Sequence, residues 1–206
     1  MKVLLLNGSP RADGTTGTAL GEMIRVFEKE GVETELIQIG SADIRGCIAC
    51  GGCGKLGKCV FDDIVNEVGE KLKTADGLVV GSPVYYASAN ASLIALLTRL
   101  FTSTHYSKVM KVGAAVACAR RAGTTATFDE LNKFFLISGM PVASGQYWNA
   151  VHGNDSAESA REDEEGMQQM RTLALNMTFL MKSIALGKEA YGIPVKEPGI
   201  KTNFVR

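Results

Sequence analysis

The chain has 206 residues, 46% of them apolar, which suits one domain over residues 1–206 with a substantial core. Because 22 Lys and Arg residues balance 22 Asp and Glu residues, the charge offers nothing to recruit nucleic acid or an anionic membrane. No apolar run approaches the roughly 20 residues that span a bilayer, and the first apolar run is too short for a secretory signal, so we expect a cytoplasmic protein.

Apolar patterning predicts strands that alternate with helices along the chain. In chain order the predicted elements are strand 3–6, helix 16–29, strand 33–39, helix 63–74, strand 77–81, helix 90–102, strand 111–119, helix 125–137, strand 141–147 and helix 166–186. Segment 40–60 is predicted to be non-helical, 151–155 a loop and 188–206 an extended C-terminal tail. Methionines recur at helical spacing in the last helix, which indicates core packing or a subunit interface.

This alternation predicts βαβ units, whose right-handed crossovers give a parallel sheet with helices on both faces. Five strands suit the smaller doubly wound α/β order, 2-1-3-4-5. In such sheets a ligand binds beyond the carboxyl ends of the strands, where the strand order reverses. The loops at 9–18, 82–89 and 118–124 are therefore expected to converge on one site.

The first of these loops has the chemistry of a phosphate site. Gly8-Ser9-Pro10-Arg11 and the threonines after it supply backbone N–H groups, hydroxyls and a guanidinium at the positive end of a helix. Neither G-x-G-x-x-G nor a loop closed by Gly-Lys-Ser/Thr is present. An ordinary strand-to-helix turn with threonine caps is the alternative. The predicted ligand is a terminal phosphate monoester, such as that of FMN, held by Ser9, Arg11, Thr15, Thr16 and Thr18.

The second and third loops offer a surface for a flat heterocycle. A proline stiffens the second loop beside two aromatic rings, and a glycine lets the backbone of the third approach closely. Either arginine of the third loop can pair with a reduced flavin or with an NAD(P)H phosphate. The alternatives are rings that belong to the core and arginines that are solvated. The candidate residues are Pro83, Val84, Tyr85 and Tyr86, then Ala119, Arg120, Arg121 and Gly123.

Four of the five cysteines lie in the short segment 47–59: Cys47, Cys50, Cys53 and Cys59. In a reducing compartment such a group indicates metal binding or redox chemistry, and the intervening glycines leave backbone N–H groups free to point at sulfur. The first three spacings match the bacterial [4Fe–4S] run, whereas the last is longer and no proline follows it. Structural zinc prefers two separated Cys-x2-Cys pairs. A cluster, zinc and metal-free thiols stay open at this point.

Two loop motifs together resemble a known family. Gly8-Ser9-Pro10-Arg11 with Thr15-Thr16, followed by Gly81-Ser82-Pro83-Val84-Tyr85, is similar to the NAD(P)H-dependent FMN reductase family of the flavodoxin-like superfamily. The resemblance covers most of residues 1–150. It implies a flavodoxin-like fold, with the FMN phosphate in the first loop, the flavin ring against the other two, and hydride transfer from NAD(P)H. It also implies that no side chain is an obligatory acid or base, so no catalytic residue is assigned.

With its cysteine-rich insertion loop, residues 44–60, the chain looks like the iron–sulfur flavoproteins. That resemblance implies one [4Fe–4S] cluster per subunit, with Cys47, Cys50, Cys53 and Cys59 as ligands, in a homodimer or homotetramer. The predicted function is an FMN-dependent oxidoreductase. Electrons enter from NAD(P)H, or from a ferredoxin through the cluster, and leave bound FMN for a flavin, a quinone or an oxygen species. A non-turnover electron carrier, a cysteine-based redox sensor and a zinc-stabilised binding module are the alternatives.

Overall fold

Six strands and seven helices make up the part of the chain that the computed structural model describes, residues 1–200 and residue 202. The strands are β1 (Lys2–Asn7), β2 (Glu33–Gln38), β3 (Gly77–Tyr85), β4 (Ser88–Ala89), β5 (Val112–Ala119) and β6 (Ala150–His152). The helices are α1 (Thr15–Lys29), α2 (Cys53–Leu56), α3 (Ile64–Thr74), α4 (Ala91–Ser103), α5 (Thr124–Ile137), α6 (Ala157–Arg161) and α7 (Glu164–Tyr191). Within these described residues, none of the helices combines the length and the apolar character needed to cross a bilayer.

Five strands pair in parallel in the order β2-β1-β3-β5-β6, and the short β4 forms an antiparallel hairpin with β3 outside this path. With β4 set aside, this is the predicted 2-1-3-4-5 order, so the doubly wound α/β fold is confirmed. β1, β5 and the first part of β3 are buried along their length. Their apolar runs are continuous because helices cover both faces of the sheet.

Side chains of the central strands alternate between two core layers. Val3 and Leu5 pack with α1 and α7, whereas Leu4 and Leu6 pack with α3 and α4 on the other face. The methionine face of the last helix lies in the first layer, so its prediction as core packing is confirmed. Its members are Met167, Met170, Met177 and Met181.

The predicted last strand, 141–147, is wrong. This segment makes one isolated bridge within the described residues, and the edge strand is instead β6, which overlaps the predicted loop 151–155. Gln169 on α7 provides the physical reason. Its Oε1 accepts from the backbone N–H groups of Gln146 and Tyr147 at 2.9 and 3.0 Å, and its Nε2 donates to the Tyr147 carbonyl at 2.7 Å. The groups that a strand would pair are therefore bound by a helix side chain.

The third strand is longer than predicted, since it continues through Pro83 to Tyr85. Pro83 lies where the pairing with β5 ends and the antiparallel pairing with β4 begins, so its missing N–H falls between two ladders. Tyr86 and Ala87 form the two-residue turn of the hairpin, with φ of 52° and 60°. Such turns usually carry glycine or asparagine, so the sequence does not signal this hairpin.

The helices differ from the prediction by two additional short helices and by the length of the last one. The single turn α2 lies inside the supposedly non-helical segment 40–60, and α6 has no predicted counterpart. The last helix continues past its predicted end at residue 186 because Gly187 stays within it, and the chain turns only at Gly192, where φ is +74°. The predicted 188–206 tail is therefore helical up to Tyr191, and its residues 201 and 203–206 lie outside the described part of the chain.

Candidate functional site

A cavity of about 340 Å³ lies at the carboxyl edge of the sheet, between the ends of β1, β3 and β5 and the loops that follow them. The three loops converge because parallel strands all end at the same edge. Nine residues predicted for the site line this cavity: Ser9, Arg11, Thr15, Thr16, Pro83, Val84, Tyr85, Ala119 and Arg120.

At one end of the cavity, the start of α1 presents polar groups. The helix begins after Gly14, and because glycine has no side chain, this N-cap residue cannot cap the helix with a side-chain hydrogen bond. The N–H groups of the first turn therefore keep the partial positive charge of the helix end. Thr15 and Thr16 belong to this turn, and Ser9 Oγ accepts a hydrogen bond from the Arg11 backbone N–H at 3.1 Å. This combination of amides, hydroxyls and one guanidinium suits a small anion.

The Arg11 guanidinium makes an exposed ion pair at the mouth of the cavity. Its Nη1 lies 3.0 Å from Asp155 Oδ1, and the two side chains are 58% and 76% exposed. Water screens a pair this exposed, so it contributes little to stability. Arg11 is therefore free to exchange this carboxylate for an anionic ligand.

The opposite wall of the cavity is the β3–β4 hairpin, which α5 holds in place. Glu130 Oε2 accepts from Ser88 Oγ at 2.8 Å and from the Ala89 backbone N–H at 2.9 Å. Gly123, the N-cap of α5, has φ of +94°, and a Cβ there would lie 2.8 Å from Val84 Cγ1. Glycine is required because the third loop packs directly on the hairpin.

Four predicted site residues lie outside the cavity: Thr18, Tyr86, Arg121 and Gly123. Thr18 follows Thr16 by two residues, about 200° around the helix, and lines a groove between α1 and α6 instead. Tyr86 is fully exposed at the hairpin turn. Arg121 is exposed, and its carbonyl lies 3.2 Å from Nε2 of His152. Gly123 contributes to the site by supporting the hairpin.

The loop after β6 also lines the cavity through Gly153, Asn154 and Asp155, and sequence reasoning missed it. The Asn154 carbonyl accepts from Thr15 Oγ1 at 2.7 Å, and a Cβ at Gly153 would lie 2.9 Å from that hydroxyl. The loop was missed because the last strand was predicted at 141–147, and the loop therefore did not follow a predicted strand. Once the edge strand is β6, the topological rule that located the other loops selects this one too.

Cys118 lines the same cavity from the end of β5. Its side chain is buried, and burial raises the pKa of the thiol to about 12 because a thiolate would lose its hydration there. The Cys118 thiol therefore keeps its proton at neutral pH.

A second cavity, of about 200 Å³, is lined by all four clustered cysteines. Cys47 and Cys50 are exposed, and Cys53 and Cys59 are partly exposed. Across the described residues, no three His, Cys, Asp or Glu side chains converge as ligands of a single ion. The four cysteines that the sequence predicts as metal ligands nevertheless line this one cavity.

Arg99 closes the base of this cysteine cavity. Its side chain is fully buried, and its Nε and Nη2 both lie 3.2 Å from Cys59 Sγ. The same guanidinium contacts the Asp63 carboxylate at 2.6 and 2.9 Å and the Arg45 carbonyl at 3.3 Å. Sequence reasoning missed Arg99, although a lone arginine on the apolar face of a helix was a signal that could have found it.

Comparisons with known proteins identify the family of this chain. The family model described as NADPH-dependent FMN reductase matches residues 1–155. An iron–sulfur flavoprotein of Methanocaldococcus jannaschii is 34% identical over 191 residues, which cover 89% of this chain and 99% of that protein. An iron–sulfur flavoprotein of Methanosarcina thermophila is 31% identical over 193 residues, which cover 92% and 100%.

Among solved structures, RosB with bound 8-demethyl-8-formylriboflavin 5'-phosphate superposes with a TM-score of 0.73 at 18% identity. The match covers 100% of this chain and 92% of that one. At this identity the likeness shows the fold, and it confirms the expected flavodoxin-like architecture.

The buried thiol gives a chemical test of the site. In iron-free protein at pH 8, we expect Cys118 to resist iodoacetamide, because a pKa near 12 lowers its thiolate fraction by roughly a thousandfold. Peptide mass spectrometry should find the exposed Cys47 alkylated in the folded protein and Cys118 alkylated only after denaturation. Equal alkylation rates of the two thiols in folded protein would contradict the packed environment of Cys118.

Proposed function

The chain belongs to the NADPH-dependent FMN reductase family and is an FMN-dependent oxidoreductase, and from this premise we propose its electron path. Electrons pass from NAD(P)H, or from a ferredoxin through an iron–sulfur cluster, to FMN in the carboxyl-edge cavity. From there they reach a small acceptor such as free flavin, a quinone or an oxygen species. The observation that carries this proposal is the convergence of three loops around one cavity with a phosphate-like donor set at one end.

The polar end of the cavity is the proposed phosphate site. A dianionic phosphate monoester accepts charge-assisted hydrogen bonds from a guanidinium, hydroxyls and helix N–H groups, which are the groups found here. Arg11 exchanges its exposed partner Asp155 for the phosphate, and Ser9 and Thr16 supply hydroxyls. Thr15 Oγ1 donates to the phosphate by leaving the Asn154 carbonyl.

The hairpin wall is the proposed flavin-ring site. Tyr85 is 43% exposed and lines the cavity with Pro83 and Val84, while Glu130 keeps the hairpin rigid. Arg120 lines the same cavity and can pair with negative charge on a reduced flavin. Bound FMN supplies both hydride uptake and one-electron transfer. The protein's contribution is to bind and orient the ring beside a thiol that keeps its proton.

The four clustered cysteines are the proposed ligands of a [4Fe–4S] cluster, a group that supplies one-electron transfer. The cavity of about 200 Å³ that they share suits an inorganic core of several atoms better than one tetrahedral ion, whose bonds to sulfur are only about 2.3 Å long. Cys47 also lines a groove with Ser88 and Ala89 of the hairpin. The cysteine segment therefore adjoins the wall of the proposed FMN site.

A double variant of Arg11 and Thr16, with a Thr18 variant as its control, tests the phosphate site. Thr16→Ala combined with Arg11→Ala should weaken FMN binding by about 10- to 100-fold for each contact, because each removes a hydrogen bond to an anion worth roughly 1.5–3 kcal/mol. Thr18→Ala, two residues further along α1 and facing another groove, should bind FMN like the wild type. Quenching of FMN fluorescence on titration with flavin-free protein measures both. Unchanged affinity in the double variant would rule out this phosphate site.

Anaerobic reduction of the purified protein tests the electron donor. NADPH or NADH should bleach the absorbance of bound FMN, and continued oxidation of the nicotinamide should follow when free FMN or a quinone is added. The Arg11→Ala/Thr16→Ala protein should recover turnover only at raised FMN concentration. If a reduced ferredoxin reduces the flavin and neither nicotinamide is oxidised, NAD(P)H is not the donor. That result would favour an electron carrier.

Metal analysis tests the cysteine ligands. Protein purified without oxygen should contain about four iron and four acid-labile sulfide atoms per FMN. Cys50→Ala should lose the iron and retain FMN, whereas Cys118→Ala should retain the iron, since Cys118 lies in the other cavity. Zinc without iron, or FMN with neither metal, would contradict the proposed cluster.

A further inference from the structure

We propose that Arg99 raises the reduction potential of the cluster by donating two hydrogen bonds to the sulfur of Cys59. The inference rests on the proposed function, because it takes Cys59 as a cluster ligand. Arg99 is then a positioning residue on α4 that acts on the cluster through a ligand sulfur. It lies outside the cysteine segment, so the cysteine motif does not predict it.

The geometry directs the guanidinium at the sulfur. Nε and Nη2, two neighbouring donors of one planar fork, both lie 3.2 Å from Cys59 Sγ. This distance is within the range of hydrogen bonds to sulfur. Of the four clustered cysteines, Cys59 is the one whose sulfur receives donors from an arginine side chain within the described residues.

Other contacts hold the fork in this orientation. Asp63 takes a bidentate pair from Nη1 and Nη2, and the Arg45 carbonyl accepts from Nη1. The Phe61 ring packs 5.0 Å from the Arg99 guanidinium carbon. Because the side chain is fully buried, water screens its charge less than it would at the surface.

The expected effect on the cluster follows from charge. Reduction adds one electron and breaks no bond, so the negative charge spread over the cysteine sulfurs grows. Hydrogen-bond donors aimed at a sulfur stabilise the more negative state, and hydrogen bonds to sulfur are among the features that set the potential of such clusters. Lysine cannot replace the effect, because an ammonium lacks the planar fork that serves Cys59 and Asp63 together.

Arg45 provides a matched control. Its guanidinium carbon lies 4.8 Å from the centre of the same Phe61 ring, but the side chain is exposed and its backbone carbonyl is the group that contacts Arg99. Arg45→Gln therefore removes the same charge from the same neighbourhood without removing a donor from sulfur. Arg99→Gln and Arg99→Lys remove the donor fork, and the lysine variant keeps the charge.

The test is a redox titration of these three variants and the wild type, followed by electron paramagnetic resonance of the reduced cluster. Iron and FMN contents are measured first, so a wild type without iron shows that the cluster proposal has failed before any potential is compared. We expect both Arg99 variants to lower the equilibrium constant for reduction about tenfold or more, equivalent to a shift of ~59 mV to more negative potential for one electron. Arg45→Gln should shift it several times less.

Each outcome decides the inference. Arg99 variants that keep their iron and titrate like Arg45→Gln overturn it. If Arg99→Gln loses its iron, Arg99→Lys carries the test, and an unchanged potential there overturns the inference equally. Loss of iron from both Arg99 variants also overturns the inference if their circular dichroism spectra match that of the wild type. Arg99 would then be needed for the cluster to bind, and not to set its reduction potential. Altered Fe–S stretching bands in resonance Raman spectra of the Arg99 variants alone would support it.

Discussion

Parallel pairing of β1, β3 and β5 is the constraint on which the candidate flavin site depends. The register aligns Asn7 with Gly81 and Pro83 with Cys118, so the chain leaves all three strands at one edge. The Gly8 N–H extends this pairing into the first loop by donating to the Gly81 carbonyl at 2.8 Å. A Cβ on Gly8 would lie 2.9 Å from that same carbonyl oxygen. The first loop and the hairpin are thereby held in a fixed relation before any ligand binds.

The β3–β4 hairpin holds two residues in a strained backbone conformation at the carboxyl edge of the sheet. Tyr86 and Ala87 both occupy the left-handed region, which costs a non-glycine residue roughly 1–3 kcal/mol each. Pairing of β3 with β4 and the two hydrogen bonds to Glu130 over-determine the turn and offset that strain. The result is a rigid wall in place of a mobile loop, at the position where a flat ring must be oriented.

A buried cation, Arg99, organises the cysteine segment. Arg99 joins the start of the cysteine segment at Arg45, its last cysteine at Cys59 and the cap of α3 at Asp63. A buried guanidinium is tolerated only when its donors are satisfied, and here the carboxylate, a carbonyl and a thiol sulfur satisfy them. The glycine-rich segment has little core of its own, so its base is held by Arg99 and by Asn66, whose side chain makes three hydrogen bonds to the backbone of Cys59 and Phe61.

The sequence by itself determined the strand order, the convergence of the loops at 9–18, 82–89 and 118–124, and the candidacy of the four cysteines. The strand order and the converging loops rest on local periodicity and on rules of parallel topology, and the candidacy of the cysteines rests on their spacing. Only the tertiary structure decided that Gln169 displaces the predicted last strand, that Thr16 rather than Thr18 faces the cavity, and that Arg99 meets Cys59. The contacts of Gln169 and Arg99 depend on which side chain of a distant helix points at a given backbone or sulfur, and packing across the sheet sets that. The choice of Thr16 over Thr18 depends on which face of α1 is turned to the cavity, and packing of that helix on the sheet sets it.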